Sequence, residues 1–184
     1  MMNGSEHHAV CAVCEALEGH TITHYAPSKT FNLAGLQTAV TIIPDDSIRE
    51  VFIQGLNANR IFNFNWFSAA ALETAYNQCE GYVGALCSYV DGNIRYMEQY
   101  LDQRLPVLKM NHPEATYMVW VDFRGTGMTT EEIEHFIVHK AHIGVDMGSW
   151  FGPGGEGYLR FNLACPRGIL KRALEQLEHA FLDK

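Results

Sequence analysis

"YAPSKTFNLAGLQ", Tyr25 to Gln37, sits between two strand-like runs and carries the residue that organises the whole reading. The run before it, "HTITHYA" (His20–Ala26), alternates, includes β-branched residues and stops at Pro27, which cannot donate to a sheet ladder. The run after it, "LQTAVTIIP" (Leu36–Pro44), reads as a second strand. Between them lies a loop holding Lys29 and Asn32 and closed by Gly35. A lysine among apolar segments is costly to bury as a cation. Lys29 therefore either caps or snorkels, or serves as a nucleophilic amine, which must be neutral to attack an aldehyde. Ser28 beside it is compatible with phosphate binding, but serines are common in turns. Spacing alone leaves these alternatives open.

Further along, Asp45, Asp46 and Ser47 offer N-cap oxygens to a helix with Ile48, Val51 and Phe52 on one face. A second helix is expected over Phe67–Gln78. Then Val83, Leu86, Val90, Ile94, Met97 and Leu101 recur at three- and four-residue steps, one face of a long helix that ends before Pro106. The remainder reads as a compact α+β unit. It has a buried-type strand, "ATYMVWVDF" (Ala115–Phe123), and a T-x-x-E capping box at Thr129 and Glu132 opening a helix with Ile133, Phe136 and Ile137. A glycine-rich loop, "GSWFGPGGEG", feeds the strand "YLRFNLACP", and a last helix from Arg167 buries Leu170, Leu174, Leu177 and Phe181. The long helix is expected to join two layers, with a division near residue 95.

Composition narrows the function classes. A 184-residue chain that is 47% hydrophobic and 18% charged is ordinary globular material. A formal charge of −8, with 13 scattered basic residues, argues against a nucleic-acid partner. No apolar run reaches the length of a membrane span, and "MMNGSEHHAV" lacks the basic and apolar regions of a signal peptide. Five cysteines, an odd number, read most simply as reduced thiols, so a cytoplasmic location is expected.

Two motifs invite a chemistry that their context refuses. "HHAVCAVC" (His7–Cys14) has zinc-like spacing, with His20 and His24 nearby, but lacks a second well-spaced ligand pair, so no metal is expected. "HKAH" (His139–His142) is weaker still. "GPGGEG" (Gly152–Gly157) matches G-x-G-x-x-G, yet a strand follows it where a dinucleotide site needs a helix N-terminus. Arg160, in an otherwise apolar strand straight after that loop, has two readings. It is an ion-pair partner or edge residue, or it is a carboxylate clamp, a role for which the guanidinium fork is well shaped.

Taken together the motifs resemble a known family. "APSKTFNLAGLQ" resembles the cofactor-lysine segment of fold-type I pyridoxal-phosphate (PLP) enzymes, specifically the MalY/PatB-type cystathionine β-lyases (C–S lyases) of the class I/II aminotransferase superfamily. "NHPEATYMVWVDFR" is similar to that family's P-E-x-T-Y-x-x-W-x-D strand, and "WFGPGGEGYLRFNLACPRGIL" to its F-G-x-x-G-x-G-x-x-R-x-N-x-A-C-P-R signature. "AYNQCEGYVGALCSYVDGN" resembles the segment leading into the small domain, with Tyr82 and Val83 where tryptophan and an aliphatic residue are common. The motifs occur in order from about His8 to the C-terminus.

The resemblance implies an α/β fold, the C-terminal part of the aminotransferase-like PLP fold. Residues 1–95 would form part of the large, PLP-binding domain and 96–184 the small α+β domain. It implies that Lys29 bonds PLP covalently, that Ser28 contacts the cofactor phosphate, and that Arg160 pairs with the substrate α-carboxylate. The implied reaction is β-elimination from a small sulfur-containing amino acid, giving thiol, pyruvate and ammonia, in a homodimer. Class I/II transamination is the close rival, and a non-catalytic remnant or assembly module the more distant one. The family's phosphate-binding turn, ring-stacking aromatic and pyridine-pairing aspartate have no matching positions here. The resemblance therefore implies a truncated form with weakened cofactor affinity, expected to be inactive alone or to require a partner carrying the missing half.

Overall fold

The computed structural model describes residues 6–61 and 65–182. These fall into two compact units, divided between Ala85 and Leu86 inside the longest helix. Each is described by itself.

The unit from Glu6 to Ala85 opens with two short helical turns, α1 (Val10–Val13) and α2 (Glu15–Glu18). Strands β1 (Thr23–Tyr25) and β2 (Val40–Ile42) pair antiparallel, with His24 opposite Thr41. The second strand is shorter than the sequence predicts. Ala34–Leu36 closes into a 3₁₀ turn and Gln37 takes a left-handed φ of 49°, so pairing starts only at Val40. Helix α3 (Asp46–Ala58) starts as expected, the Asp45 side chain accepting from Ile48 N–H at 2.9 Å. Its apolar face is only partly covered: Ile48, Phe52 and Leu56 are half-buried, with Phe52 beside the His24 ring, but no residue of α3 is fully buried and Val51 is 68% exposed. Helix α4 (Trp66–Gln78) begins on the cap Asn65, which accepts from Phe67 N–H. Among the described residues of this unit, the only buried hydrophobic side chains are Ile43 and Ala75. Proline 27 and Ser68 are buried with them.

The unit from Leu86 onward has a core of its own. Helix α5 (Glu80–Arg104) buries Val90, Ile94, Met97 and Leu101 of the expected stripe, and Asn93 beside them, while Val83 and Leu86 are only half-buried. Strands β3 (Lys109–Met110), β4 (Met118–Asp122), β5 (Asp146–Met147) and β6 (Tyr158–Asn162) form a four-stranded sheet in the order β3-β4-β6-β5. All its pairs are antiparallel. Alternation sets its faces. Val119, Val121, Leu159, Phe161 and Met147 point into one core with α5, α6 (Thr130–His135) and α7 (Arg167–Leu182). Met118, Trp120, Tyr158, Arg160 and Asn162 alternate with them on the other face. The capping box at Thr129 is present, both arms formed, and α6 continues into a π-helical turn, Phe136–Lys140, that buries Phe136 and Ile137. Helix α7 buries Leu170, Leu174, Leu177 and Ala180; Phe181 is only half-buried and packs against Phe136 with the rings tilted at 50° and their centroids 4.7 Å apart.

Candidate active site

Buried Pro27 ends the first strand and starts the lysine turn. Its carbonyl accepts from Phe31 N–H and that of Ser28 from Leu33 N–H, both at 3.0 Å, wrapping the chain around Lys29. Asn32 closes the turn with a φ of 55°, a left-handed conformation its side chain tolerates better than most. Lys29 is exposed, and no carboxylate among the described residues pairs with it. Ser28, half-buried, lies beside it. Behind the turn, Phe31 stacks on Tyr82 and meets Tyr76 edge-on, with both centroids 6.0 Å away. Phe31 and Tyr82 also line an apolar cavity with Leu33, Ala70, Ala71 and Thr74. The turn is thereby anchored by an aromatic cluster while its amine stays free to react.

Arg160 stands at the centre of β6, with Trp120 of β4 opposite it on one side and Asp146 of β5 on the other. Its Nε and Nη2 both donate to Asp146 Oδ2, at 3.1 and 2.6 Å. Its guanidinium carbon lies 4.3 Å from the centre of the Phe151 ring, and Phe151 meets Trp120 edge-on at 5.3 Å. The ion-pair reading of this arginine is met by Asp146; among the described residues, Nη1 has no carboxylate partner. A 480 Å³ cavity adjoins this group, lined by Asn111, Trp120, Phe151, Tyr158 and the loop Gly152–Gly155.

The glycine loop has a packing reason. A Cβ on Gly148 would lie 2.1 Å from the Gly155 carbonyl oxygen, and one on Gly155 only 2.0 Å from that of Gly148. These glycines let two loop strands touch and carry the chain from Phe151 back into β6. The same strand is tied down at its far end by Asn93, fully buried on α5, whose amide donates to the carbonyls of Leu163 and Cys165. At its near end, Arg124 pairs with Asp122 and donates to the Tyr158 hydroxyl. The hydrogen bonds that Arg124 donates to Asp122 hold its carboxyl below the usual range.

Sequence reasoning named Lys29, Ser28 and Arg160; it did not name Asp146, Phe151 and Trp120, which the structure sets around Arg160. Lys29 and Ser28 share one turn of the first unit; Arg160 lies in the second. Among the described residues, no group of three or more His, Cys, Asp or Glu side chains is placed to hold a metal ion, and no helix is long and apolar enough to cross a membrane.

Residues 1–177 match the family described as aminotransferase class I and II. The chain belongs to that family. Within it, the chain is 33% identical over 180 residues to cystathionine beta-lyase PatB of Bacillus subtilis, covering 98% of this chain and 46% of PatB. It is 26% identical over 154 residues to protein MalY of Escherichia coli, covering 83% of this chain and 40% of MalY. Its fold superposes on cystalysin from Treponema denticola, whose crystal structure contains a pyridoxal 5'-phosphate cofactor, with a TM-score of 0.95 and 36% identity. That match covers 99% of this chain and 46% of cystalysin. The chain thus spans less than half the length of these aminotransferase class I and II relatives. The family's cofactor is PLP, and the residues present fit one part of it: Lys29, exposed and without a carboxylate partner among the described residues, carries a primary amine of the kind an aldehyde takes.

Proposed function

We propose that this chain is the C-terminal portion of a PLP-dependent C–S β-lyase, with Lys29 and Arg160 as its principal functional side chains. The observation that carries the reading is the turn Pro27–Leu33, which presents an uncommitted amine beside the Ser28 hydroxyl. Lys29 lies in the part read as large domain, residues 1–95, and Arg160 in the part read as small domain, residues 96–184. PLP, when bound, supplies an aldehyde for amines and an electron sink for the charge left at the substrate α-carbon.

The chain's own residues supply the rest. Lys29 Nζ would hold the cofactor, with Ser28 available to its phosphate. Arg160 holds the substrate α-carboxylate by charge-assisted hydrogen bonds and so fixes which α-substituent faces the base. As a free amine, Lys29 Nζ would take up the α-proton. The β-thiolate then departs; with water the products are thiol, pyruvate and ammonia. The substrate class is a small sulfur-containing amino acid, and the working form is a homodimer in the cytoplasm.

The test supplies PLP and L-cystathionine to the chain, alone and mixed with a separately expressed large-domain portion of a family member. Pyruvate and thiol release that Lys29→Ala abolishes supports the lyase. Keto-acid exchange without thiol release makes it an aminotransferase. A folded chain that takes up no PLP under either condition is a non-catalytic module.

A further inference from the structure

We propose that Asp146 is a positioning residue that reserves the outer edge of the Arg160 guanidinium, formed by Nη1 and Nη2, for the carboxylate that Arg160 receives. The inference rests on the reading of Arg160 as a carboxylate clamp and adds how that clamp is aimed.

Three contacts fix the guanidinium. Its inner edge, Nε and Nη2, is spent on a single oxygen, Asp146 Oδ2. One face covers Phe151 at 4.3 Å, and Phe151 is braced by Trp120. The backbone holds all the parts in register, because Asp146 and Trp120 are the direct cross-strand neighbours of Arg160 in β5 and β4. Neither partner can drift along the sheet without breaking pairing. What remains uncommitted is Nη1 and the second proton of Nη2, two parallel donors spaced for a carboxylate. An unconstrained arginine offers either edge and must lose that freedom on binding; one already held loses less. The Asp146 carboxylate also removes most of the net positive charge, so recognition depends on the geometry of the free edge more than on charge alone.

The test uses the whole 184-residue chain labelled with ¹⁵N-arginine, with the Arg160 side-chain signals assigned by their loss in Arg160→Lys. Sodium propionate is the carboxylate probe. In the unmodified chain without probe, the two Nη groups should give separate signals because rotation about Nε–Cζ is hindered. Propionate should shift the Nη signals and leave Nε–Hε in place. In Asp146→Asn the Nη signals should merge, and propionate should now shift Nε–Hε, the edge that has been vacated. Asp146→Glu, which keeps a carboxylate, should restore the first pattern, and backbone amide spectra verify that each variant folds. Merged Nη signals in the unmodified chain would overturn the proposal, whatever binds. So would a propionate-induced shift of Nε–Hε there, since Asp146 would then be a displaced competitor. A response to propionate only in Asp146→Asn would make Asp146 a block, overturning the proposal while Arg160 remains a clamp. No response in either chain would overturn the clamp reading, and this proposal with it.

Discussion

Asn93 and Arg167 hold the two ends of a buried knot: Arg167 Nε donates to Asn93 Oδ1 at 2.6 Å, while the same Asn93 amide donates to the carbonyls of Leu163 and Cys165 at 2.8 and 2.9 Å. The knot fastens the exit of β6 to α5, and so holds the strand that carries Arg160. Its parts are tightly set, since Arg167 also lies over the Tyr96 ring at 4.8 Å and a Cβ on Gly92 would come within 3.1 Å of its Nη2. Asn93→Ala strands two carbonyls and a guanidinium proton in the interior. We expect a loss of about 2–3 kcal/mol, read as a lower urea midpoint with unchanged slope.

The Gly148–Gly155 contact makes a separate prediction. An added methyl at either position meets a carbonyl at about 2 Å, which the backbone can relieve only by opening the loop. Gly148→Ala should cost about 1–3 kcal/mol. It should also disturb the Phe151 and Trp150 signals in an NMR spectrum. Gly154→Ala, where nothing lies within 4 Å of the new methyl, serves as the control and should leave both unchanged.

The pH dependence of stability has an acid and an alkaline limb at the same place. Glu178 on α7 accepts from Arg104 at 2.6 Å and from the Tyr100 hydroxyl at 2.5 Å, both on α5. The Arg104 hydrogen bond, then that of Tyr100, lowers the Glu178 carboxyl from its ordinary value of 4.5. A carboxyl lowered in the folded state stabilises fully above that ordinary value and loses its contribution as pH falls through the folded one. Burial, then the hydrogen bond to Glu178, raises the Tyr100 hydroxyl above its ordinary 10.0. That contribution is full below 10.0 and disappears as pH rises through the raised folded value. Urea midpoints of the unmodified chain and Glu178→Gln should therefore differ by a constant amount near neutral pH. The difference should shrink progressively below pH 4.5 and above pH 10.

Buried side chains are distributed unevenly, and hydrogen exchange should report it. The core cluster runs from Val90 to Ala180, whereas Ile43 and Ala75 are the buried hydrophobics described before Leu86. Amides of α5 beyond Leu86, β4, β6 and α7 should exchange slowest, those of α1, α2 and α3 fastest. Leu174→Ala should speed exchange throughout the slow set and cost about 2–5 kcal/mol.

Much of this was legible in the sequence because it is local or periodic. The α5 stripe, the Asp45 cap and the Thr129–Glu132 box each depend on residues within a turn or two; cap and box stand as read, and the stripe is buried from Val90 to Leu101 but only half-buried at Val83 and Leu86. Three features resisted. Asp146 belongs to a two-residue strand, too short to show alternation, and its partner is assigned only by sheet pairing. The start of β2 was lost to a 3₁₀ turn and a left-handed Gln37, neither of which leaves a periodic signal. Ile48, Val51 and Phe52 do share one side of α3, but amphipathicity states which face seeks burial, not whether anything covers it, and Val51 stays exposed. The lysine turn was visible as a loop from Pro27 and Gly35. Its chemistry was visible only through family resemblance.

The most direct measurement asks whether Lys29 takes the cofactor. The 184-residue chain is incubated with PLP, reduced with borohydride, digested and mapped by mass, with Lys29→Ala as control. We expect a pyridoxyl group confined to the peptide carrying Lys29 and absent from the variant. Labelling spread over the other lysines, Lys109, Lys140, Lys171 and Lys184, with none at Lys29 of a folded chain, would contradict it: the motif would persist without its chemistry.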